Sequence, residues 1–145
     1  PNRGFYFDFL VFDEFGKKSQ TPTTPSLPHM FGLDSQFDRI KAEGMENRWN
    51  RHRQLATRTQ EWAEAGWACF AESGHRSDAT TAVVNTRKVD FAALNKHLSQ
   101  TLNVVISSGY GKLKDSTFRI GHVGETTLEQ LNACLAEIDR FAKSS

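Results

Sequence analysis

Hydrophobic and polar positions change their spacing several times along this chain, and each change predicts a different element. The first stretch, residues 5–15, concentrates aromatic side chains without a clear period of 2 or 3.6 residues. An exposed aromatic segment of this kind needs a partner surface, and the remaining chain looks small to provide all of it. The pattern therefore indicates a missing domain or subunit.

The next stretch, residues 17–28, contains three prolines, which remove amide donors and prevent regular pairing. We expect an extended connector here. A helix should follow, capped by Ser26, with Pro28 in its first turn and Gly44 at its end. Its apolar stripe consists of Met30, Leu33, Phe37 and Ile40.

A second helix is predicted from about Met45 to Ala65, with Gly66 ending it. Several arginines should remain solvated along this helix: Arg48, Arg51, Arg53 and Arg58. Its expected buried face consists of Met45, Trp49, Leu55, Ala56 and Trp62.

From Trp67 onward, short β-branched or aromatic runs alternate with turn residues, which is typical of strands. Asp90 should cap a helix that follows the second strand, and Thr126 and Glu129 should form a capping box for the last helix. The predicted strands are Trp67–Ala71, Thr80–Thr86, Val104–Ser107 and Thr117–Gly121. The buried face of the last helix should contain Leu128, Leu131, Leu135, Ile138 and Ala142.

The order of elements from residue 44 is thus α-β-β-α-β-β-α. This order predicts an α+β fold, in which a mostly antiparallel sheet carries its helices on one face. A length of 145 residues suffices for one packed core, or for one core and an arm.

The composition of the chain argues against nucleic acid, membranes and zinc as its partners. Eighteen basic and 17 acidic residues give a formal net charge of +1, which provides no single-signed field for nucleic acid or an anionic membrane. No apolar run approaches the roughly 18 residues needed to span a bilayer. Two distant cysteines suggest neither a disulfide framework nor a zinc site, so a reduced cytoplasmic location fits best.

The strand around Arg119 is the strongest candidate for chemistry. Side chains alternate across a strand, so Phe118 and Ile120 should share the core face while Arg119 points the other way. A guanidinium on an open sheet face can bind a carboxylate with two hydrogen bonds, and Gly121 leaves space above the backbone. The alternative is a surface arginine in a weak salt bridge.

Two further segments are weaker candidates. The small-residue loop around Gly109 and Gly111 allows backbone amides to approach a ligand, although its residues by themselves favour a simple hairpin turn. Thr21 and Thr24 offer hydroxyls to a phosphate, although most Thr-Pro segments are only connectors.

His122 follows the Arg119 strand and either lines the same opening or simply ends the strand.

Four segments, in this order and spacing, resemble the C-terminal half of class V aminotransferases, the serine/alanine–glyoxylate and serine–pyruvate group. The segments are Thr21-Pro22-Thr23-Thr24-Pro25, Gly44-Met45-Glu46-Asn47-Arg48-Trp49-Asn50-Arg51-His52-Arg53, Gly109-Tyr110-Gly111 and Phe118-Arg119-Ile120-Gly121-His122-Val123-Gly124. The resemblance covers nearly the whole chain.

The resemblance implies the small domain of fold-type I transferases, which depend on pyridoxal 5'-phosphate (PLP), preceded by a segment of the large domain. It implies that Arg119 binds the α-carboxylate of the substrate and that Gly109 and Gly111 line the pocket. It also implies that Thr24, and less directly Thr21, contact the cofactor phosphate. The group works as a homodimer with active sites at the subunit interface.

The resemblance further assigns residues 1–43 to the end of the large domain, the proline-rich connector and a crossing helix, and residues 44–145 to the small domain. In the family the Schiff-base lysine belongs to the large domain, upstream of Pro1. We therefore expect the isolated chain to be inactive, and the complete enzyme to move an amino group from a serine- or alanine-like amino acid to a glyoxylate- or pyruvate-like 2-oxo acid. The alternative is a non-enzymatic α+β module for ligand binding or dimerisation.

Overall fold

The first part of the chain forms two helices joined by the proline-containing connector. The computed structural model describes residues 4–144 of the chain. Helix α1 spans Phe9–Gly16 and helix α2 spans Leu27–Glu43, and neither contains a buried residue. Both belong to a unit that ends at Gly44, and the chain from Met45 onward forms a second unit.

The predicted ends of α2 are correct, but one cap works differently. Ser26 occupies the N-cap position without capping the helix through its side chain. Its hydroxyl instead lies 2.6 Å from Nδ1 of His29. Gly44 ends the helix with a φ of 82°, a left-handed value that suits glycine, and its amide donates to the carbonyl of Ile40 at 2.9 Å.

The second unit is an α+β fold built on a small antiparallel sheet. Its elements are α3 (Met45–Gly66), β1 (Thr80–Val84), α4 (Phe91–Leu102), β2 (Ser107–Ser108), a short 3₁₀ helix (Gly111–Leu113), β3 (Thr117–Gly121) and α5 (Leu128–Ser144). The strand order is β1-β3-β2, so β3 is the central strand. Thr80 is paired with Gly121 in the β1–β3 ladder, and Ser107 is paired with Arg119 in the β2–β3 ladder.

The core of this unit lies between the sheet and helices α3, α4 and α5. Its aromatic centre is Trp67, whose ring meets that of Phe118 edge to face at 5.3 Å between centroids. The most deeply buried aliphatic residues are Leu55, Val83, Leu94, Leu98, Leu135 and Ile138. Helices packed on one face of an antiparallel sheet confirm the predicted fold class.

Polar contacts also join the helices. Asp139 on α5 accepts hydrogen bonds from the indole nitrogens of Trp62 at 2.8 Å and Trp67 at 3.1 Å. Glu137 is buried on the same helix, where it pairs with His97 of α4 and with Arg140. The hydrogen bond from His97 is the main cause that lowers the pKa of the Glu137 carboxyl, and the charge of Arg140 acts in the same direction.

Two of the four predicted strands were placed wrongly. The segment Trp67–Ala71 is not a strand and contributes only an isolated bridge between Cys69 and Val83. Instead of the strand predicted at Val104–Ser107, the structure has the two-residue strand Ser107–Ser108, and Val105 is largely exposed. Apolar, β-branched residues fit a strand only where a neighbouring strand pairs with them, and packing rather than pairing buries Trp67.

Some predicted helix faces were also wrong. Met45, Trp49 and Leu128 are exposed rather than buried. Each lies in the first turns of its helix, where the apolar pattern continues beyond the surface that the helix covers. The capping box of α5 is shifted by one residue, because the amide of Thr127 donates to Gln130 Oε1 at 3.0 Å and the amide of Gln130 donates to Thr127 Oγ1 at 3.2 Å.

Three of the four arginines expected to be solvated, Arg48, Arg51 and Arg58, are partly buried. Arg51 donates to the carbonyl of Gly124 at 2.9 Å, and Arg58 donates from Nε to Asn132 Oδ1 at 2.7 Å. Both contacts join α3 to the segment that leads into α5 or to α5 itself. No helix within residues 4–144 has the length and apolar character to cross a membrane.

Candidate functional site

Arg119 lies at the middle of β3, on the face opposite its two neighbours. Phe118 and Ile120 are 1% and 2% exposed, so both point into the core. Alternation along the strand therefore places the half-buried Arg119 side chain on the face away from the helices. Sequence reasoning predicted this orientation, and the structure confirms it.

Two contacts hold the guanidinium of Arg119. Its Nε donates to the carbonyl of Ser108 at 3.0 Å, across the β2–β3 ladder. Its central carbon lies 4.0 Å from the centroid of the Tyr110 ring, which is within the range of a cation–π contact. Within residues 4–144 no carboxylate forms an ion pair with Arg119. The two terminal nitrogens are therefore available to an anion from elsewhere.

The loop that carries Gly109 and Gly111 is braced by its own backbone. The amide of Gly109 donates to the carbonyl of Thr117 at 2.9 Å, and the hydroxyl of Thr117 donates to the carbonyl of Leu113 at 3.0 Å. A Cβ on Gly109 would lie 2.2 Å from Leu113 O and 2.2 Å from Thr117 Oγ1. The loop itself thus requires glycine at this position, whatever role the residue has toward a ligand.

Gly111 differs from Gly109 in its surroundings. It has a φ of 53°, and a Cβ at this position would have no atom within 4 Å, so the backbone angle, rather than space, favours glycine. It begins the 3₁₀ helix and is exposed. Tyr110, which lies between Gly109 and Gly111, contacts Arg119, so the loop lies beside the Arg119 side chain.

A cleft of about 630 Å³ is lined by residues of β3, of α5 and of the segment that leads into β2. Its buried wall residues include Ile106, Ile120 of β3, and Leu131 and Cys134 of α5. Burial raises the pKa of the Cys134 thiol to about 11, so this sulfur stays protonated and unreactive at neutral pH. Arg119 and its cross-strand partner Ser107 are also among the residues that line this cleft.

His122 has a structural place rather than an open one. The residue is fully buried, with Nε2 2.9 Å from the hydroxyl of Thr81 and Nδ1 3.1 Å from the carbonyl of Asp78. The carbonyl can only accept, so Nδ1 carries the proton and Nε2 accepts from Thr81. Burial lowers the pKa of His122, which keeps the ring neutral. Two interpretations were given for His122. The structure supports the second, in which His122 simply follows the end of the strand and does not line the opening.

The two threonines lie in the first unit. Thr21 donates from its hydroxyl to the carbonyl of Thr23 at 2.7 Å, which closes a short turn. Thr24 is exposed, and its side chain forms no hydrogen bond with any of the residues 4–144. Its hydroxyl is therefore available to a phosphate oxygen, whereas that of Thr21 is already engaged.

Sequence reasoning missed Tyr110 and the carbonyl of Ser108, the two groups that hold Arg119. A partial signal was present, because Tyr110 is the only large residue of the glycine loop that precedes the strand. The pairing of β2 with β3 that brings this loop to Arg119 is a tertiary feature.

Comparison with known proteins finds aminotransferases that are similar to most of this chain. The chain is 34% identical to an uncharacterised aminotransferase of Methanocaldococcus jannaschii, over 97% of the chain and 37% of that protein. It is also 34% identical to the serine–glyoxylate aminotransferase of Methylorubrum extorquens, over 80% of the chain and 31% of that protein. The chain is homologous to part of the class V aminotransferases.

A solved structure supports the same fold. The crystal structure of a phosphoserine aminotransferase from Cytophaga hutchinsonii matches with a TM-score of 0.83 at 21% identity, over 94% of this chain and 38% of that one. The chain therefore shares the fold of part of that aminotransferase. The chain spans about a third of the length of the class V aminotransferases that it matches. No family model matches the chain.

Proposed function

We propose that this chain is part of a PLP-dependent aminotransferase in which Arg119 binds the α-carboxylate of the substrate. The observation that carries the proposal is the state of the guanidinium, which is half-buried on a sheet face, held by a carbonyl and an aromatic ring, and without an acidic partner within residues 4–144. A guanidinium with two free terminal nitrogens matches the two oxygens of a carboxylate.

The proposed reaction moves an amino group from a serine- or alanine-like amino acid to a glyoxylate- or pyruvate-like 2-oxo acid. The activities of similar proteins support this reaction. They include a serine–glyoxylate aminotransferase of Arabidopsis thaliana and an alanine–glyoxylate aminotransferase of Drosophila melanogaster. Both substrates carry a carboxylate next to the reacting carbon. A single Arg119 therefore serves both halves of the cycle by holding that carboxylate in one orientation.

PLP, when bound, supplies the electron sink for this chemistry. The exposed, unengaged hydroxyl of Thr24 suits its phosphate, and the prolines on either side stiffen the segment. Thr21 is a weaker second contact because its hydroxyl already donates to Thr23. Gly109 and Gly111 form the pocket edge beside Arg119. The lysine that attaches the cofactor lies in the large domain of the family, so we expect no turnover when the isolated chain is supplied with PLP, an amino acid and a 2-oxo acid.

The first unit supports the proposed partners. This unit leaves many large apolar side chains exposed, among them Phe7 at 68%, Phe9 at 75% and Phe31 at 71%. Apolar surface of this extent marks a protein interface. We assign it to contacts with the large domain and with a second subunit of a homodimer. A self-contained binding module would not leave these residues exposed, which disfavours the non-enzymatic alternative. The unpaired state of Cys69 and Cys134 suits a cytoplasmic location.

The test is Arg119→Ala in the complete protein, compared with Arg119→Lys. Loss of a charged partner to a buried carboxylate should weaken amino-acid binding by about 2–5 kcal/mol, while the absorbance of bound PLP stays unchanged. Lysine keeps the charge but not the paired geometry and should recover only part of the loss. Loss of PLP with unchanged amino-acid affinity would refute the assigned role.

A further inference from the structure

We propose that Tyr110 is a positioning residue, which holds the guanidinium of Arg119 in the orientation that receives a carboxylate. This inference rests on the proposed function and adds to it a residue that determines specificity for the carboxylate group. Tyr110 acts through Arg119 and is not itself a ligand of the reacting atoms.

The two contacts of Arg119 constrain different parts of the guanidinium. The Tyr110 ring covers one face at 4.0 Å, and the Ser108 carbonyl accepts from Nε at 3.0 Å. A fixed face and a fixed Nε edge define the plane and the rotation of the group. The terminal nitrogens then form the edge that remains for a ligand, and this edge donates two parallel hydrogen bonds.

Backbone hydrogen bonds within the loop fix the position of Tyr110. The amide of Leu113 donates to the Tyr110 carbonyl at 2.9 Å, while the neighbouring amide of Gly109 donates to the Thr117 carbonyl at 2.9 Å. The backbone on both sides of the ring is therefore tied to the turn and to the start of β3. The ring is carried on the same braced loop that supplies the Ser108 carbonyl.

Packing in the hydrophobic core does not explain the position of Tyr110, because the residue lies outside the core. The residue is 77% exposed, and the contact with Arg119 is its only ring contact within residues 4–144. A long arginine side chain loses considerable rotamer freedom when it binds a ligand. A ring that restricts Arg119 beforehand reduces that loss and so favours a carboxylate over a group that needs no guanidinium.

The experiment compares Tyr110→Leu with Tyr110→Phe in the complete, PLP-loaded protein. Calorimetry measures binding of two unreactive probes, lactate, which carries the carboxylate, and lactamide, which lacks it. Leucine should weaken lactate binding about two- to fivefold, as expected for an exposed cation–π contact, and should leave lactamide binding unchanged. Phenylalanine keeps the ring face and should bind lactate like the unsubstituted protein. In turnover, leucine should raise KM for the amino acid by the same factor while kcat stays constant.

Each other outcome overturns the inference in a recognisable way. Lactate binding that leucine leaves unchanged shows that the ring does not position Arg119. Equal weakening of lactate and lactamide shows a general disturbance of the loop. A Phe variant as weak as the Leu variant assigns the effect to the hydroxyl and not to the ring face. Arg119→Ala separates these results from failure of the proposed function, because full lactate affinity in that variant removes the carboxylate role of Arg119 itself.

Discussion

The two units of this chain contain similar apolar side chains but bury them to very different extents. Phe31 on α2 is 71% exposed, whereas Phe118 on β3 is 1% exposed. Neither α1 nor α2 buries a residue, while every α-helix of the second unit does. An apolar stripe at helical spacing therefore predicts a helix but does not by itself predict a core.

The difference follows from the layers that each unit contains. The second unit has a sheet whose one face is covered by α3, α4 and α5, so each apolar surface meets another. The first unit has two helices and no sheet among its described residues. Its apolar side chains need a surface from outside the unit, which agrees with the proposed interface with the large domain and a second subunit.

The largest expected effect contrasts the two phenylalanines. Phe118→Ala should lower the free energy of unfolding of the chain by about 3–5 kcal/mol, because it leaves a cavity beside Trp67. Phe31→Ala should change it by no more than about 0.5 kcal/mol, because the ring already lies in water. Urea unfolding followed by tryptophan fluorescence measures both. Similar losses in the two variants would show that the first unit buries its aromatic residues within the chain.

A smaller effect contrasts two glycines. Gly109→Ala should destabilise the second unit by about 1–3 kcal/mol, because the new methyl group would overlap Leu113 O and Thr117 Oγ1. Gly32→Ala should instead stabilise α2 by up to about 1 kcal/mol, since Gly32 lies in a helix with no atom within 4 Å of the new carbon. Thermal unfolding and helical circular dichroism check the two signs, and a tolerated Gly109→Ala would contradict the close packing of the loop.

The smallest expected effect is a pH dependence confined to the second unit. Burial lowers the pKa of His122 in the folded state, so the unfolded state binds the proton more readily. Its contribution to stability is complete above the unfolded value of about 6.5 and decreases as the pH falls below that value. His122→Gln should reduce this slope between about pH 7 and 5. His75→Gln, at an exposed histidine, is the matched control, and a slope that His122→Gln leaves intact would rule out His122 as its source.

Local signals in the sequence predicted the central strand and one helix correctly. Strand β3 spans Thr117–Gly121 as predicted, and the half-buried Arg119 lies between the buried Phe118 and Ile120. Helix α4 begins after Asp90, whose side chain accepts from the amides of Ala92 and Ala93 at 2.8 and 3.1 Å. Both elements are specified by residues adjacent in sequence, and so was the orientation of Arg119.

Signals that depend on a distant partner were less informative. The run Trp67–Ala71 has the composition of a strand, but no neighbouring strand extends its pairing beyond the bridge of Cys69 with Val83. Two overlapping candidates for a capping box precede α5: Thr127 and Gln130 form it, whereas the Thr126 hydroxyl donates to the carbonyl of Val123. Residues in both cases had the right chemistry for a role that the surroundings did not provide.

By itself, the sequence determined helices α2 to α5 and the central strand, because hydrogen-bonding partners and side-chain periodicity act over a few neighbouring residues, but it did not predict helix α1. It also determined that Arg119 leaves the core face of β3. Tertiary structure alone decided what the guanidinium meets there, since Ser108 and Tyr110 reach it only through the antiparallel pairing of β2 with β3. It likewise decided which apolar stripes are buried, because burial requires a second surface whose position no local pattern contains.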